Sequence, residues 1–486
     1  MIDVTINGNH TAVASGTTIL DAARKLDIVL ESPCNGNGTC GKCKVIVNGE
    51  SVLACQTAIT VPAEIITESK EHENKTLQIL SGGNSFSYPL KPAFSDGYGL
   101  VVDIGTTTLV AALIDLSTGK QLDSESRLNP QTVFAQDVLS RISYASEPDG
   151  LLRLKGDLLH VLNEMVANMC EFAEVSPSSI HEAVYSGNTA MLHLACGIDP
   201  APLGKYPYNV PLECGLSVVD AELDIIGEIY LPPIISAFVG ADITSGILAS
   251  RLHEQTQTTL FIDIGTNGEM VIANGGTLAA TSTAAGPAFE GMNITCGMRA
   301  ARGAIEKFHI NVDDSVTYAV IGGEAEPTGI CGSGLLDIAA ELVRTGKIGK
   351  TGRFADKSKQ YNITEKVFIT QNDIRQIQLA KGAIRTGIDA LLRELNLSVT
   401  DVARVEIAGS FGYHLSESSL LDIKLLPPEF KGKIHFVGNT AQSGGTAFLL
   451  NTDFRSEMLD IVSRVRKIEL ANNDDFQREF IASLNF

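Results

Sequence analysis

Four cysteines near the N-terminus have a spacing typical of a metal site. They are Cys34, Cys40, Cys43 and Cys55, which gives the pattern C-x5-C-x2-C-x11-C. The first three lie on a loop rich in glycine and asparagine, and three thiolates on such a loop with a fourth nearby can enclose a 2Fe-2S cluster. The alternative is a zinc site with four cysteine ligands. Such sites usually contain two C-x2-C pairs and this segment has one, so the pattern favours the cluster.

A second kind of site is indicated by a stretch that occurs twice. Residues 100–110 read LVVDIGTTTLV and residues 260–270 read LFIDIGTNGEM. Each is an apolar run ending in an aspartate, Asp103 or Asp263, then a Gly-Thr turn and a second apolar run, which predicts a β-hairpin. The aspartate can hold Mg²⁺ through water, and the turn can bind phosphate oxygens. The predicted phosphate-binding residues are Gly105, Thr106, Thr107, Thr108, Gly265, Thr266, Asn267 and Gly268.

The repeated hairpin resembles the phosphate-binding hairpins of the superfamily of actin, sugar kinases and chaperone ATPases, in which each of two lobes contributes one. A single Asp-x-Gly-Thr arises easily by chance, whereas two copies 160 positions apart are a stronger signal. Two ordinary hairpins of a large α/β protein are the alternative. The resemblance implies ATP and Mg²⁺ in a cleft between two lobes.

A helix of small residues is predicted just before the second hairpin, at residues 239–249. In the superfamily a helix at this place lines the cleft. Asp242, near its start, either orients water or Mg²⁺ or caps the helix. Asp103, Asp263 and Asp242 are therefore the candidate catalytic residues.

Two glycine-rich segments are candidates for further contacts with a nucleotide. Gly332 and Ser333 lie in a turn that leads into a helix, where backbone N–H groups can bind an anion, although the turn can also serve tight packing alone. Residues 405–412 read as a buried strand ending in glycines, and they resemble the adenosine motif of the superfamily. That resemblance assigns Gly409, Ser410 and Phe411 to the nucleoside.

The chain of 486 residues is too long for one core and is predicted to have several domains. Residues 1–69 form a unit that resembles plant-type ferredoxins of β-grasp fold, with a first cysteine spacing of five that is closer to the adrenodoxin-like branch. Residues 70–97 are first charged and then rich in Ser, Gly and Pro, as in a flexible linker. Residues 98–486 form the ATPase region, with lobes at about 98–255 and 256–486. The predicted fold class is a β-grasp ferredoxin domain followed by a two-lobed actin-like (ribonuclease H-like) ATPase.

Charge and hydropathy exclude several classes of function. The net charge of −20 argues against nucleic acid as a partner, since phosphate backbones need a basic surface. No apolar run approaches the roughly 18 residues of a membrane helix, and no signal peptide is recognised. We therefore expect a cytoplasmic protein without a membrane partner, in which clustered cysteines bind metal rather than form disulfides.

The order of these parts resembles the reductive activators of corrinoid proteins. Stretches similar to that family include residues 186–194, 285–291 and 328–336. The chain differs from better-known members because there is no room for their middle domain between positions 70 and 97, so a short form lacking that domain is expected. The resemblance to that family is compatible with a homodimer.

The resemblance implies an ATP-dependent enzyme that transfers one electron from its 2Fe-2S cluster to the inactive Co(II) state of a corrinoid protein and regenerates Co(I) for methyl transfer. A reduced ferredoxin or a flavin reductase would supply the electron. Two other functions are consistent with the motifs. One is an ATP-dependent electron donor to another low-potential enzyme, such as a radical dehydratase, and the other is a redox sensor without enzymatic activity.

Overall fold

The computed structural model describes residues 1–26, 28, 30, 43–47, 49–67, 88–323, 325–409, 415–470 and 476–486. Within these ranges the chain forms three large β-sheets, two smaller ones and eleven α-helices. No helix among the described residues is long and apolar enough to cross a membrane.

The N-terminal unit is a mixed five-stranded sheet in the order β2-β1-β5-β3-β4. Its elements are β1 (Ile2–Ile6), β2 (Asn9–Val13), α1 (Ile19–Lys25), β3 (Lys44–Val47), β4 (Glu50–Leu53) and β5 (Ala63–Thr67). Asn7 and Gly8 join β1 to β2 with positive φ angles of 49° and 82°, which are typical of Asn-Gly turns in β-hairpins. Strand β1 runs parallel to β5, and the buried faces of α1 and the sheet form one hydrophobic core, as in a β-grasp fold.

The first lobe is built on a six-stranded sheet in the order β10-β11-β9-β6-β7-β8. Its elements are β6 (Tyr98–Ile104), β7 (Thr108–Asp115), β8 (Gln121–Leu128), α2 (Val138–Ala145), α3 (Gly150–Ala173), β9 (Ile180–Gly187), α4 (Thr189–Cys196), β10 (Leu216–Val218), β11 (Glu228–Leu231) and α5 (Ala241–Ala249). The predicted first hairpin is β6–β7, with Asp103 paired to Val110. Strand β6 pairs on its other side with β9 in parallel, so the hairpin turn and the end of β9 meet at one edge.

The second lobe repeats this arrangement in the order β21-β20-β12-β13-β14-β22. Its elements are β12 (Thr259–Ile264), β13 (Gly268–Asn274), β14 (Thr277–Thr283), β15 (Ala304–Ile310), β16 (Val316–Val320), β17 (Gly329–Ile330), α6 (Gly332–Arg344), β18 (Gln360–Asn362), β19 (Phe368–Thr370), α7 (Gln371–Glu394), β20 (Arg404–Ala408), α8 (Glu417–Asp422), β21 (Ile434–Gly438), α9 (Thr440–Leu450), α10 (Asp453–Arg464), β22 (Arg466–Lys467) and α11 (Phe476–Ser483). The hairpin β12–β13 is flanked by the parallel strand β20, as β6–β7 is by β9.

Helices α5 and α9 lie between the two six-stranded sheets and pack closely against each other. They can approach because small residues line the crossing. A Cβ atom added at Gly444 would lie 2.0 Å from the carbonyl oxygen of Ser245. Side chains of both sheets and of both helices form one buried core here, so each predicted phosphate hairpin lies at the edge of a closely packed layer.

Residues 88–97, the described end of the predicted linker, lie against the C-terminal lobe. The Lys91 backbone N–H donates to the Leu450 carbonyl at 2.8 Å, and Asn451 Nδ2 donates to the Pro89 carbonyl at 3.0 Å. Tyr88 makes an edge-to-face contact with Phe454. This part of the segment is therefore attached to the body. Residues 70–87 lie outside the described residues.

Candidate functional site

A cavity of about 210 Å³ lies between the two lobes, and both predicted phosphate turns line it. The structure brings together most of the residues predicted from the sequence: Asp103, Gly105, Thr106, Thr107, Thr108, Asp242, Asp263, Gly265, Thr266, Asn267, Gly332, Ser333 and Gly409. Two of the residues assigned to the nucleoside, Ser410 and Phe411, lie outside the described residues. Gly268 is described but does not line the cavity. A Cβ atom there would lie 2.9 Å from Ile384, so this glycine allows close packing within the lobe.

Two of the glycines are required by close approach of the backbone. A Cβ atom on Gly105 would lie 2.5 Å from the Thr108 carbonyl oxygen. Gly409 has a φ of 101°, and its Cβ would lie 2.9 Å from Asp263 Oδ1. Gly265 is different, because its Cβ would meet no atom nearer than 3.8 Å. The absence of a side chain at Gly265 keeps space free beside the second turn.

Four carboxyl groups converge at the base of the cavity: Asp103, Asp242, Asp263 and Glu269. Loss of hydration in the cleft raises the pKa of Asp103 to about 6, and a hydrogen bond from Asn439 opposes this change. Loss of hydration and the charge of Asp103 raise the pKa of Asp263 to about 7. The pKa values of Asp242 and Glu269 are raised by burial first and by neighbouring carboxylates second.

Such a set of oxygen donors fits Mg²⁺, because the cation would remove the mutual repulsion of carboxylates that are otherwise driven to bind protons. The Gly265 turn leaves room beside them for phosphate oxygens. Asp242 does not have the alternative role of helix cap. Gly240 occupies the N-cap position of α5, and Asp242 Oδ1 accepts from the Ile243 N–H at 2.9 Å.

Buried polar side chains hold the first hairpin turn in place, and sequence reasoning did not identify them. Asn129 Nδ2 donates to the Gly105 carbonyl at 2.8 Å, and Asn188 Nδ2 donates to Thr106 Oγ1 at 3.1 Å. The guanidinium of Arg141, which is fully buried, donates to the Thr106 carbonyl. These residues come from three separate segments, and the resemblance of residues 186–194 to the family assigned Asn188 no contact with this turn.

Four further residues of the cavity were also missed: Glu269, Glu290, Arg299 and Asn439. Asn439 caps α9 by accepting from the Gln442 N–H at 2.9 Å, and its Nδ2 donates to Asp103 Oδ2 at 2.8 Å. Glu290 accepts hydrogen bonds from Thr107 and Thr266, one residue of each hairpin. Glu269 follows the second turn and belongs to the repeated stretch at residues 260–270. Its position on β13 opposite Asp263 is the signal that could have identified it.

The N-terminal domain contains the predicted metal ligands. Cys43 immediately precedes β3 and Cys55 closely follows β4, and both thiols are buried. Because Lys44 pairs with Leu53, the antiparallel strands bring these two cysteines to the same end of the hairpin. Gln56 Nε2 lies 3.7 Å from Cys55 Sγ as a donor. Two neighbouring thiols with an N–H donor suit cluster ligation. Cys34 and Cys40 lie outside the described residues.

Comparisons with known protein families match three parts of the chain. Residues 4–63 match the 2Fe-2S iron-sulfur cluster binding domain. Residues 98–255 match the RACo middle region, and residues 257–486 match the C-terminal domain of RACo, the ASKHA domain. The predicted fold class and the predicted cofactors, a 2Fe-2S cluster and ATP with Mg²⁺, are confirmed by these domains.

Similar proteins cover nearly the same length. The chain is 30% identical to the corrinoid activation enzyme RamQ of Eubacterium limosum, with 98% of this chain and 97% of the relative covered. It is 24% identical to a Co(II) methylated amine-specific corrinoid protein reductase of Methanosarcina barkeri, with 80% and 77% covered. Among solved structures, a reductive activator for corrinoid, iron-sulfur protein superposes with a TM-score of 0.75 at 28% identity, covering 100% of this chain and 98% of that one.

The prediction that the chain lacks the middle domain is wrong. The domain was judged absent because there is no room for it between positions 70 and 97, but its match is residues 98–255, which contain the six-stranded sheet of the first lobe. The error arose because the first hairpin was assigned to the ATPase region alone, and hairpin patterns do not show which family domain contains them. With the ferredoxin domain, the middle region and the ASKHA domain all present, the chain belongs to the family of reductive activators of corrinoid proteins.

Proposed function

We propose that this protein uses ATP to transfer one electron from its 2Fe-2S cluster to the Co(II) state of a corrinoid protein. The cluster is oxidised by one electron, and Co(II) is reduced to Co(I), the state that accepts a methyl group. The observation that carries this proposal is the combination in one chain of a cluster-binding β-grasp domain and a cleft where two aspartate hairpins meet. The choice of a corrinoid protein as the electron acceptor is supported by the names of the relatives, which are a corrinoid activation enzyme and a corrinoid protein reductase.

Hydrolysis is needed because the transfer is energetically uphill. When bound, the cluster supplies a one-electron carrier, with a potential of roughly −400 mV for plant-type clusters. An acceptor of lower potential is reduced only if another free-energy change favours the product. ATP can supply this change only if it binds the conformations of the protein with different affinities. A site built from both lobes satisfies this condition, because changes at the phosphates alter contacts of both.

In this proposal the residues of the cleft have separate roles. Asp103 and Asp263 hold Mg²⁺ and its water, and Asp242 orients the attacking water. The turn residues of both hairpins hold the phosphates, and the second glycine-rich segment meets the adenosine. The cluster ligands are Cys34, Cys40, Cys43 and Cys55. The residues for phosphate and nucleoside are Gly105, Thr106, Thr107, Thr108, Gly265, Thr266, Asn267, Gly268, Gly332, Ser333, Gly409, Ser410 and Phe411.

Three further features belong to the proposal. The electron donor is a reduced ferredoxin or a flavin reductase, the protein works in the cytoplasm, and it forms a homodimer. The net charge of −20 disfavours nucleic acid as a partner. Light scattering on the anaerobically purified protein tests the dimer, and reduction of the cluster by each candidate donor identifies the electron source.

Two variants test the coupling of the two domains. Asp103→Ala should abolish ATP hydrolysis and leave the visible spectrum of the cluster unchanged, since Asp103 lies in the cleft. Cys55→Ser should change that spectrum and leave basal ATP hydrolysis intact. Each variant should stop the appearance of the Co(I) band when mixed with Co(II) corrinoid protein, ATP and a reductant. Equal Co(I) formation by the unmodified protein with and without ATP would refute the proposal.

A further inference from the structure

Glu290 connects the two hairpins across the cleft. It ends a short 3-10 turn, Pro287–Glu290, between β14 and β15 of the second lobe. Its Oε1 accepts a hydrogen bond from Thr266 Oγ1 at 2.7 Å, within the same lobe. Its Oε2 accepts a hydrogen bond from Thr107 Oγ1 of the first lobe. One carboxylate therefore engages a hydroxyl group of each of the two turns.

The surrounding turn holds Glu290 at this place. The preceding residue, Phe289, is fully buried in the core of the second lobe. The following residue, Gly291, has a φ of 78°, and a Cβ atom there would lie 2.3 Å from the Met298 carbonyl oxygen. With both neighbours fixed, the Glu290 side chain projects into the cavity, where its Oε1 lies 3.9 Å from the position of a Cβ on Gly265.

The carboxylate and a phosphate group need the same donors. A hydroxyl group has one proton and can donate it to one acceptor at a time. A phosphate that accepts from Thr107 and Thr266 must therefore replace Glu290, and its negative charge also repels the carboxylate.

We propose that Glu290 is an internal competitor of the nucleotide phosphates, which links the two lobes until a phosphate takes its place; this inference rests on the proposed ATP site. Binding of ATP exchanges a link through the carboxylate for a link through phosphate, and release of phosphate restores the first. The contact between the lobes thus depends on the nucleotide. Glu290 is a regulatory residue of the cleft and not a ligand of Mg²⁺.

The sign of one affinity change tests this proposal. Glu290→Ala should bind a non-hydrolysable ATP analogue with Mg²⁺ about tenfold more tightly than the unmodified full-length protein, because binding no longer breaks two charge-assisted hydrogen bonds. Titration calorimetry measures this directly. A carboxylate that binds Mg²⁺ or positions water would give the opposite or no change, and either result overturns the proposal.

Glu306→Ala is the matched control. Glu306 also lines the cavity, and in the described part of the chain it makes no hydrogen bond to either hairpin. If both variants gain affinity for the analogue by the same factor, removal of a negative charge from the cavity explains the gain, and competition for hydroxyl groups is refuted. If neither the unmodified protein nor Glu290→Ala binds the nucleotide, the ATP site itself is refuted. Binding without the predicted gain refutes only the role of Glu290.

A double-mutant cycle with Thr107→Val gives a second test. In the unmodified protein this change removes a hydrogen bond from both the free and the bound state, so its effect on affinity should be small. In the Glu290→Ala background only the bond to phosphate is lost, so the same change should weaken binding by about tenfold. Equal effects in the two backgrounds would mean that Thr107 does not exchange Glu290 for phosphate.

Discussion

Arg141 is expected to control nucleotide affinity in a protein that stays folded without it. It lies on α2, fully buried, and donates to the Thr106 carbonyl, to the Ala135 carbonyl at 3.0 Å and to Gln131 Oε1 at 3.1 Å. Arg141→Met retains an apolar chain of similar length and removes every donor. The first phosphate turn then loses the contact that orients its Thr106 peptide group.

The effect on stability is the difference of two large terms. Burial lowers the pKa of Arg141 from 12.5 to about 9. This change corresponds to about 5 kcal/mol against the charged side chain, at about 1.4 kcal/mol per pKa unit. Three acceptors left without a donor cost about 1–3 kcal/mol each, or about 3–9 kcal/mol in total. Because the two terms oppose each other, we expect Arg141→Met to destabilise the protein by at most about 4 kcal/mol and to leave it folded.

The effect on binding is not compensated in this way. A hydrogen bond to a charged phosphate contributes about 1.5–3 kcal/mol, and a turn that is no longer oriented loses such a bond, so affinity for Mg²⁺ and an ATP analogue should fall by about ten- to a hundredfold. Calorimetry gives both the unfolding temperature and the dissociation constant. Arg153→Met serves as control, because Arg153 is a partly exposed arginine of α3. A folded Arg141→Met protein with unchanged affinity would refute this reasoning, and so would a loss of stability well above 4 kcal/mol.

Two further predictions concern the body of the protein. Burial lowers the pKa of Lys381 to about 7, against about 10.4 in the unfolded chain. Between these two pH values the unfolded state therefore binds more protons than the folded state, so the free energy of unfolding should rise from pH 7 to about pH 10. This rise should be absent from Lys381→Met. Identical pH profiles of the unfolding temperature for the two proteins would contradict the prediction. Gly444→Ala should destabilise the protein by about 1–3 kcal/mol or more, because the new Cβ atom would clash with the Ser245 carbonyl group. Gly156→Ala is the control, since Gly156 lies on an open helix surface. It should stabilise the protein by about 0.5–1 kcal/mol in the same denaturation assay.

Local patterns were sufficient for the elements that carry the chemistry. The hairpins were predicted because an apolar strand, a Gly-Thr turn and a second strand are encoded by adjacent residues. Gly105 shows the physical reason, since only a residue without Cβ fits 2.5 Å from the Thr108 carbonyl oxygen. The cysteine pattern worked in the same way, because the ligands of one loop lie close in sequence.

Contacts between distant segments could not be predicted in this way. Glu290 and Thr107 are 183 positions apart, and Asn439 and Asp103 are 336 positions apart. No spacing rule relates such residues. Gly268 is the opposite case. It belongs to the repeated motif, but it packs against Ile384 of its own lobe and does not line the cavity. The middle region was misplaced for a related reason, since its sequence pattern resembles that of any lobe with such a hairpin.

The sequence by itself determined which chemical groups this protein has: four thiols at cluster spacing and two aspartate hairpins that resemble nucleotide-binding turns. These follow from short-range rules of chain geometry and ligand type. Only the tertiary structure decided how the groups act on each other. The packing of α5 and α9 between the two six-stranded sheets joins the lobes, and this places four carboxyl groups together, raises their pKa values and sets Glu290 across the cleft. Electrostatic coupling depends on distance in space, which the order of residues does not contain.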